Sequence, residues 1–156
     1  MLYIGMYSTL FPFHVEDCDL YSINYLHVGD PKSWYCVSPK ERTRFESLAR
    51  SKFPQDYLQC KEFLRHKTSI MSPSTLRANG IPFTKVVQNA GEFVITFPGS
   101  YHGGFNQGFN IAEATNFATA SWISIGRRAG VCRCNPDAVS INMELFETLY
   151  LRSQNF

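Results

Sequence analysis

The sequence predicts a mostly β domain with a helical insertion and a helical end. Three observations carry this prediction. β-branched and aromatic runs, separated by turn residues, fill 19–37 and 85–97. Capping signals and helical spacing occupy the stretch between them. No linker-like or low-complexity segment interrupts the 156 residues, so one domain is expected over 1–156. Apolar residues at 44% and aromatics at 15% exclude a disordered chain. A formal charge of +2 is too mild to point to nucleic-acid binding by electrostatics alone. The chain has no apolar run of membrane-spanning length, and its apolar start lacks the basic flank and cleavage site of a signal peptide.

The elements follow in order. Residues 19–28 and 32–37 read as strands around the turn Gly29-Asp30-Pro31. Ser38-Pro39-Lys40-Glu41 has the form of a capping box with Pro at the first helical position, which predicts a helix over 39–51. A second helix is expected over 55–65, and a short third one from Ser72-Pro73 to Gly80. Strands return at 85–88 and 92–97, the second with Phe93, Ile95 and Phe97 on one face. The near-repeat Gly104-Phe105-Asn106 and Gly108-Phe109-Asn110 reads as a turn between strands. Helices are expected again over 121–129 and 138–151, the latter with the stripe Ile141, Leu145, Phe146, Leu149 as core or interface.

Two groups of residues have the composition of metal sites. His14 and Glu16 are two positions apart, so on a strand both would face one ion; His102 lies 86 residues beyond Glu16. Two imidazoles and one carboxylate form the facial set that leaves positions open on Fe(II). An H-x-E triplet is short enough to arise by chance, so packed or surface histidines are the competing reading. The five cysteines are Cys18, Cys36, Cys60, Cys132 and Cys134. An odd count with a C-x-C pair is a poor disulfide framework and suits thiols in a reducing, intracellular setting. Cys60, His66, Cys132 and Cys134 have the donors of a tetrahedral zinc site, and buried free thiols are the alternative. Cys18 and Cys36 read as small buried residues, and His27 as a strand histidine with a backbone partner.

Longer motifs then decide between these readings. Residues 13–27 (FHVEDCDLYSINYLH) and 29–35 (GDPKSWY) closely resemble the JmjC domain of the JmjN/JmjC histone lysine demethylases. So do FLRHK at 63–67, GIPF at 80–83, AGEF at 90–93, TFP at 96–98 and TNFAT at 115–119. The resemblance runs nearly end to end and in order. It implies a double-stranded β-helix, the cupin-like jelly roll, with a helical insertion and C-terminal helices. It implies an enzyme in which His14, Glu16 and His102 ligate Fe(II), Lys32 pairs with the far carboxylate of 2-oxoglutarate, Asn24 hydrogen-bonds that cosubstrate, and Phe11 packs along it. Tyr3, Glu16 and Asn116 fall at positions that surround a methylated lysine, and Ala114 stands where several relatives carry Ser. Cys60, His66, Cys132 and Cys134 coincide with the family's structural zinc ligands, joining the insertion at 38–80 to the C-terminal part.

The activity so implied is removal of methyl groups from histone-tail lysines by N-methyl hydroxylation and formaldehyde release. Methyl-lysine histone tails and chromatin would be the partners and the nucleus the location, with no sequence-specific nucleic-acid binding and no membrane association. The chain departs from the family at its start. The JmjN segment and the first part of JmjC, with a Tyr that shares the 2-oxoglutarate carboxylate, are not in it. Met1 stands where relatives usually have a second pocket Tyr, and Phe13 replaces a common Trp. A fragment or a natural truncation with exposed edges is therefore expected. Two rival functions follow: a catalytically silent methyl-lysine-binding module, and a 2-oxoglutarate hydroxylase acting on a non-histone side chain.

Overall fold

A computed structural model describes residues 1–134 and 138–153. Among these, eight strands form two four-stranded antiparallel sheets. The larger sheet has the order β1 (Leu2–Gly5), β8 (Asn110–Phe117), β3 (Tyr21–Gly29), β6 (Phe93–Thr96). The smaller has the order β2 (Leu10–His14), β7 (Tyr101–Asn106), β4 (Lys32–Val37), β5 (Thr84–Gln88). The chain passes back and forth between the sheets, which is the winding of a double-stranded β-helix, as the family resemblance implies.

Alternation in β3 places Ser22, Asn24 and Leu26 inward, while Tyr21, Ile23 and Tyr25 face out. Phe93, Ile95 and Phe97 do share one face, but it is the outer one, and all three are exposed. Ring contacts Tyr25–Phe93 (4.5 Å) and Tyr21–Phe97 (5.5 Å) tie that outer layer together. Many inner positions of this sheet (Ser22, Asn24, Thr96, Ala112, Ala114, Asn116) carry small or polar side chains, several of which line a cavity.

The apolar core lies instead between the smaller sheet and the helical insertion. Phe45, Leu48 and Ala49 of α1 (Arg42–Lys52) meet Phe13, Val15, Val37 and Tyr101, with Phe63, Leu64, Met71, Leu76 and Ile81 closing the cluster. Each such large side chain contributes about 1.5–3 kcal/mol on burial. The insertion holds two further helices, α2 (Pro54–Gln59) and α3 (Pro73–Ala78).

Several boundaries differ from the sequence prediction, for local reasons. Pro39–Glu41 is a 3-10 turn ahead of α1, and Ser38 caps the Lys40 amide, so no reciprocal capping box forms. The single helix expected over 55–65 is broken. Its α-helix ends at Gln59, Cys60 is extended, and a 3-10 turn covers Phe63–His66. That break turns Cys60 and His66 toward one point. Asp19 belongs to a 3-10 turn before β3 rather than to the strand. Gly104–Asn106 and Asn110 lie within β7 and β8, so only the residues between them turn.

The C-terminal part is less regular than its periodicity suggests. Helix α4 spans only Ile123–Gly126 after a 3-10 turn, and α5 spans Met143–Ser153. Residues 138–142 are irregular, and 135–137 lie outside the described residues. Of the stripe, Phe146 packs edge-on against the fully buried Trp122 at 5.5 Å, whereas Leu145 and Leu149 face solvent. Among the described residues no helix is long and apolar enough to cross a membrane.

Candidate functional site

A cavity of about 580 Å³ opens between the two sheets. The larger sheet supplies Ser22, Asn24, Ala114 and Asn116, with Tyr3 from the edge strand β1. The smaller sheet supplies Phe11, His14, Lys32, Trp34, His102 and Asn106.

Register explains how residues far apart in sequence meet here. His102 of β7 pairs with His14 on one side and Cys36 on the other. Three positions separate Phe11 from His14, which in a regular strand would put them on opposite faces. A register shift between the two residues, around Pro12, lets both line the cavity. Gly104 gives room at the same level. A Cβ there would come within 1.9 Å of the Ser33 carbonyl and 2.6 Å of the Phe11 ring.

At one end of the cavity the His14 and His102 rings lie 4.5 Å apart. Glu16 Oε1 is 3.2 Å from His102 Nε2 and 3.9 Å from His14 Nε2. The Nδ1 atoms face backbone carbonyls, Pro12 O at 2.7 Å and Ser100 O at 3.0 Å. With the proton on Nδ1 to make those bonds, each Nε2 lone pair is the one available to an ion. Burial lowers the His14 pKa to about 3, helped by the nearby His102 and Lys67, so this imidazole is neutral. Burial opposes ionisation of Glu16, but the neighbouring His102 and Asn116 side chains outweigh it and hold its carboxyl well below the usual range. Its second oxygen accepts from Asn116 Nδ2 at 3.0 Å. One donor atom from each of the three residues falls within 4.8 Å of the others. Two imidazoles and a carboxylate suit a divalent ion of intermediate softness and leave coordination positions free on the cavity side. Glu16 itself stands just past the end of β2, not on the strand as its spacing suggested.

Across the cavity Lys32 is 6% exposed. Its Nζ donates to Asn106 Oδ1 and lies 5.5 Å from the Phe11 ring. Burial alone depresses its pKa, with no anion among the described residues to offset it. A buried cation in that state suits a carboxylate ligand. Asn24 is also buried, and its Oδ1 accepts from Gln88 Nε2 at 3.1 Å. That bond fixes the amide flip and leaves the Asn24 NH2 group for the cavity.

Sequence reasoning missed the residues that support this wall. Gln88, 1% exposed, bonds Asn24 and accepts from the Trp34 indole at 2.9 Å. Asn106 takes the Lys32 ammonium, donates to Thr9 Oγ1 at 2.8 Å and accepts from Asn110 at 3.0 Å. The signal was present as the repeated Gly-Phe-Asn, whose asparagines are buried rather than turn residues. Tyr3 is half-exposed at the cavity rim, and burial together with the Glu16 charge raises its pKa. His27 has a side-chain partner, Glu113 Oε2 at 3.2 Å, in place of the expected backbone one.

A second donor cluster joins the insertion to the C-terminal part. Cys132 Sγ lies 3.8 Å from Cys60 Sγ and 3.2 Å from His66 Nε2. The Cys134 amide donates to Cys132 Sγ at 3.4 Å. That bond, with His66 beside it, lowers the Cys132 thiol to about 7, while burial and the adjacent sulfurs push Cys60 up to about 11. One donor atom from each of Cys60, His66, Cys132 and Cys134 again falls within 4.8 Å of the rest. Three sulfurs and one imidazole at that spacing fit a tetrahedral ion such as zinc. Of the other thiols Cys18 is buried and Cys36 partly so.

Comparison with known proteins gives the family. The chain is 54% identical over 145 residues, 93% of its length, to "Probable lysine-specific demethylase 4F" of Homo sapiens. The same identity and coverage hold for "Lysine-specific demethylase 4D" of Rattus norvegicus and "Lysine-specific demethylase 4B" of Mus musculus. The matched region spans 23%, 28% and 13% of those three relatives, respectively. The family described as "JmjC domain, hydroxylase" matches residues 1–117, a span that holds the whole cavity lining but stops short of Cys132 and Cys134. This chain belongs to the JmjC hydroxylase family.

Proposed function

We propose that the chain is the catalytic domain of an Fe(II)- and 2-oxoglutarate-dependent demethylase acting on methylated histone-tail lysines in the nucleus. One observation carries the reading: a two-histidine, one-carboxylate set shares a cavity with a buried lysine that has no carboxylate partner. Together the iron and 2-oxoglutarate supply the oxidising power. That power would serve N-methyl hydroxylation, with formaldehyde, succinate and CO2 as the products.

The chain's own residues hold and orient these groups. His14, Glu16 and His102 bind the ion, their tautomers and charge set by the Pro12 and Ser100 carbonyls and by Asn116. Lys32 neutralises the far carboxylate of 2-oxoglutarate while Asn24, turned by Gln88, donates to it. Phe11 and Trp34, edge to face at 4.9 Å, wall that part of the cavity from water. Tyr3, Glu16 and Asn116 offer oxygens to the methylammonium, and Ala114 leaves space beside them. Residues 1–156 act as one domain in which Cys60, His66, Cys132 and Cys134 hold a structural zinc ion.

The test is mass spectrometry of a trimethyl-lysine histone-tail peptide incubated with the chain, Fe(II), ascorbate and 2-oxoglutarate. Loss of methyl groups that requires 2-oxoglutarate supports the reading. Peptide binding without turnover supports a silent methyl-lysine-binding module instead, and a stable hydroxylated product supports a hydroxylase acting on another side chain.

A further inference from the structure

Glu16 is the one member of the three-donor set outside a regular strand, so something other than the sheet must aim it. The loop that follows it is unusual. Cys18 and Asp19 are consecutive non-glycine residues with φ of 53° and 49°, a conformation side chains disfavour. Such a loop persists only when its surroundings hold it. The Trp122 indole donates to the Cys18 and Asp19 carbonyls at 3.1 Å each, and Arg42 pairs with the Asp19 carboxylate.

Arg65 does something the other two do not. Its Nη1 donates to the Glu16 carbonyl at 2.9 Å, Nη2 to Asp19 Oδ1 at 2.9 Å, and Nε to Glu62 at 3.0 Å. Both the Arg65 and the Asp19 side chains are nearly fully buried. The guanidinium is a rigid fork, so these three bonds fix the Glu16 backbone relative to the loop. Asn116 fixes the far end of the same residue through Oε2, which leaves Oε1 to the imidazoles. The Phe63–His66 turn that bears Arg65 is anchored by buried Phe63 and Leu64.

We propose that Arg65 is a positioning residue that aims the Glu16 carboxylate at the metal, a role that rests on the three-donor reading above. It touches neither ion nor substrate. Its effect is on where the Glu16 Cα–Cβ bond starts, and a ligand displaced by a fraction of an ångström weakens the whole set.

The experiment compares Mn(II) affinity, followed by electron paramagnetic resonance, in the zinc-replete full chain and its variants. Mn(II) is chosen because thiolates bind it poorly. Arg65→Lys keeps a cation beside Asp19 but not the fork; Arg65→Met removes both. Both are expected to bind Mn(II) roughly 10–100-fold more weakly, with an altered spectrum of the bound ion and unchanged zinc content. Glu62→Gln, which leaves the Glu16 contact in place, is expected to bind as the parent does. If Arg65→Met fails to fold, Arg65→Lys decides alone. Parent-like affinity and spectrum in Arg65→Lys overturn the proposal. So does equal weakening by Glu62→Gln, which would mean that loss of an ion pair, not of aim, is responsible. His102→Ala in the same assay is expected to abolish binding. If it does not, the three-donor reading itself falls, and the failure is traced there.

Discussion

The two donor clusters are built in opposite ways. His14 and His102 are buried on neighbouring strands in direct register, and Glu16 sits at the strand end with a bond to Asn116. Cys60, His66, Cys132 and Cys134 are exposed or half-exposed, on an extended residue, a 3-10 turn and an irregular segment. The first set is prearranged by backbone hydrogen bonds and faces a cavity. The second gathers segments that have little regular structure of their own, with thiols of which one is already near neutral titration. A sheet-borne set can keep coordination positions open because the fold, not the ion, holds the ligands. A set that ties loops together must close on its ion, since the ion is what holds the loops.

The sharpest way to break this contrast is to remove one donor from each set. His102→Ala is expected to reduce 2-oxoglutarate turnover to background while thermal stability and zinc content stay near those of the parent. Loss of fold in that variant would show that the buried set is also structural. Cys132→Ser is expected to do the reverse. Zinc content falls below stoichiometry and folded yield drops, since a structural zinc ion contributes several kcal/mol or more to folding (about 10–16 kcal/mol in zinc-finger peptides). A well-folded, zinc-free Cys132→Ser protein would remove the distinction.

Smaller effects sharpen it. Lys32→Met is expected to weaken 2-oxoglutarate binding by about 2–5 kcal/mol, read as a rise in the KM for 2-oxoglutarate with metal affinity unchanged. The unbound Lys32 carries a desolvation cost that no anion among the described residues offsets, so the same change should leave the apo protein as stable as the parent or more so. The mildest effect is on pH dependence. His14 has a folded pKa of about 3 against an ordinary 6.5, so below 6.5 the unfolded chain takes up a proton that the folded one refuses. Stability of the metal-free protein should therefore fall as pH drops from 6.5 toward 3, by up to about 1.4 kcal/mol per unit. Glu16, whose carboxyl is also depressed, adds loss of the same sign at more acid pH. Urea midpoints at pH 7, 6 and 5 check this, and a flat series would place a water-exposed histidine at position 14.

Much of this arrangement was legible in the chain, but unevenly. The strands at 21–29 and 32–37 and the helix of 42–52 follow from β-branched runs and helical spacing. The donors of both clusters were nameable because their residue types are chemically restrictive. The broken helix at Cys60 was not legible, since Leu58, Phe63 and Leu64 satisfy a helical period whether or not the backbone continues. Gln88 and Asn106 were not legible either. A polar residue near a strand end reads as surface, and only the second sheet shows that water cannot reach it.

Composition, periodicity and ordered motifs by themselves determined a β domain with a helical insertion and the residue types able to hold two metal ions. These depend on local backbone preference and on donor chemistry, which travel with the sequence. Only the tertiary structure decided which residues face one another. The register shift around Pro12 that turns Phe11 and His14 to one side, the pairing of His14 with His102, and the reach of Arg65 to the Glu16 carbonyl all depend on contacts between distant segments. Such contacts are fixed by how the sheets and the insertion pack together, and packing is a property of the whole chain.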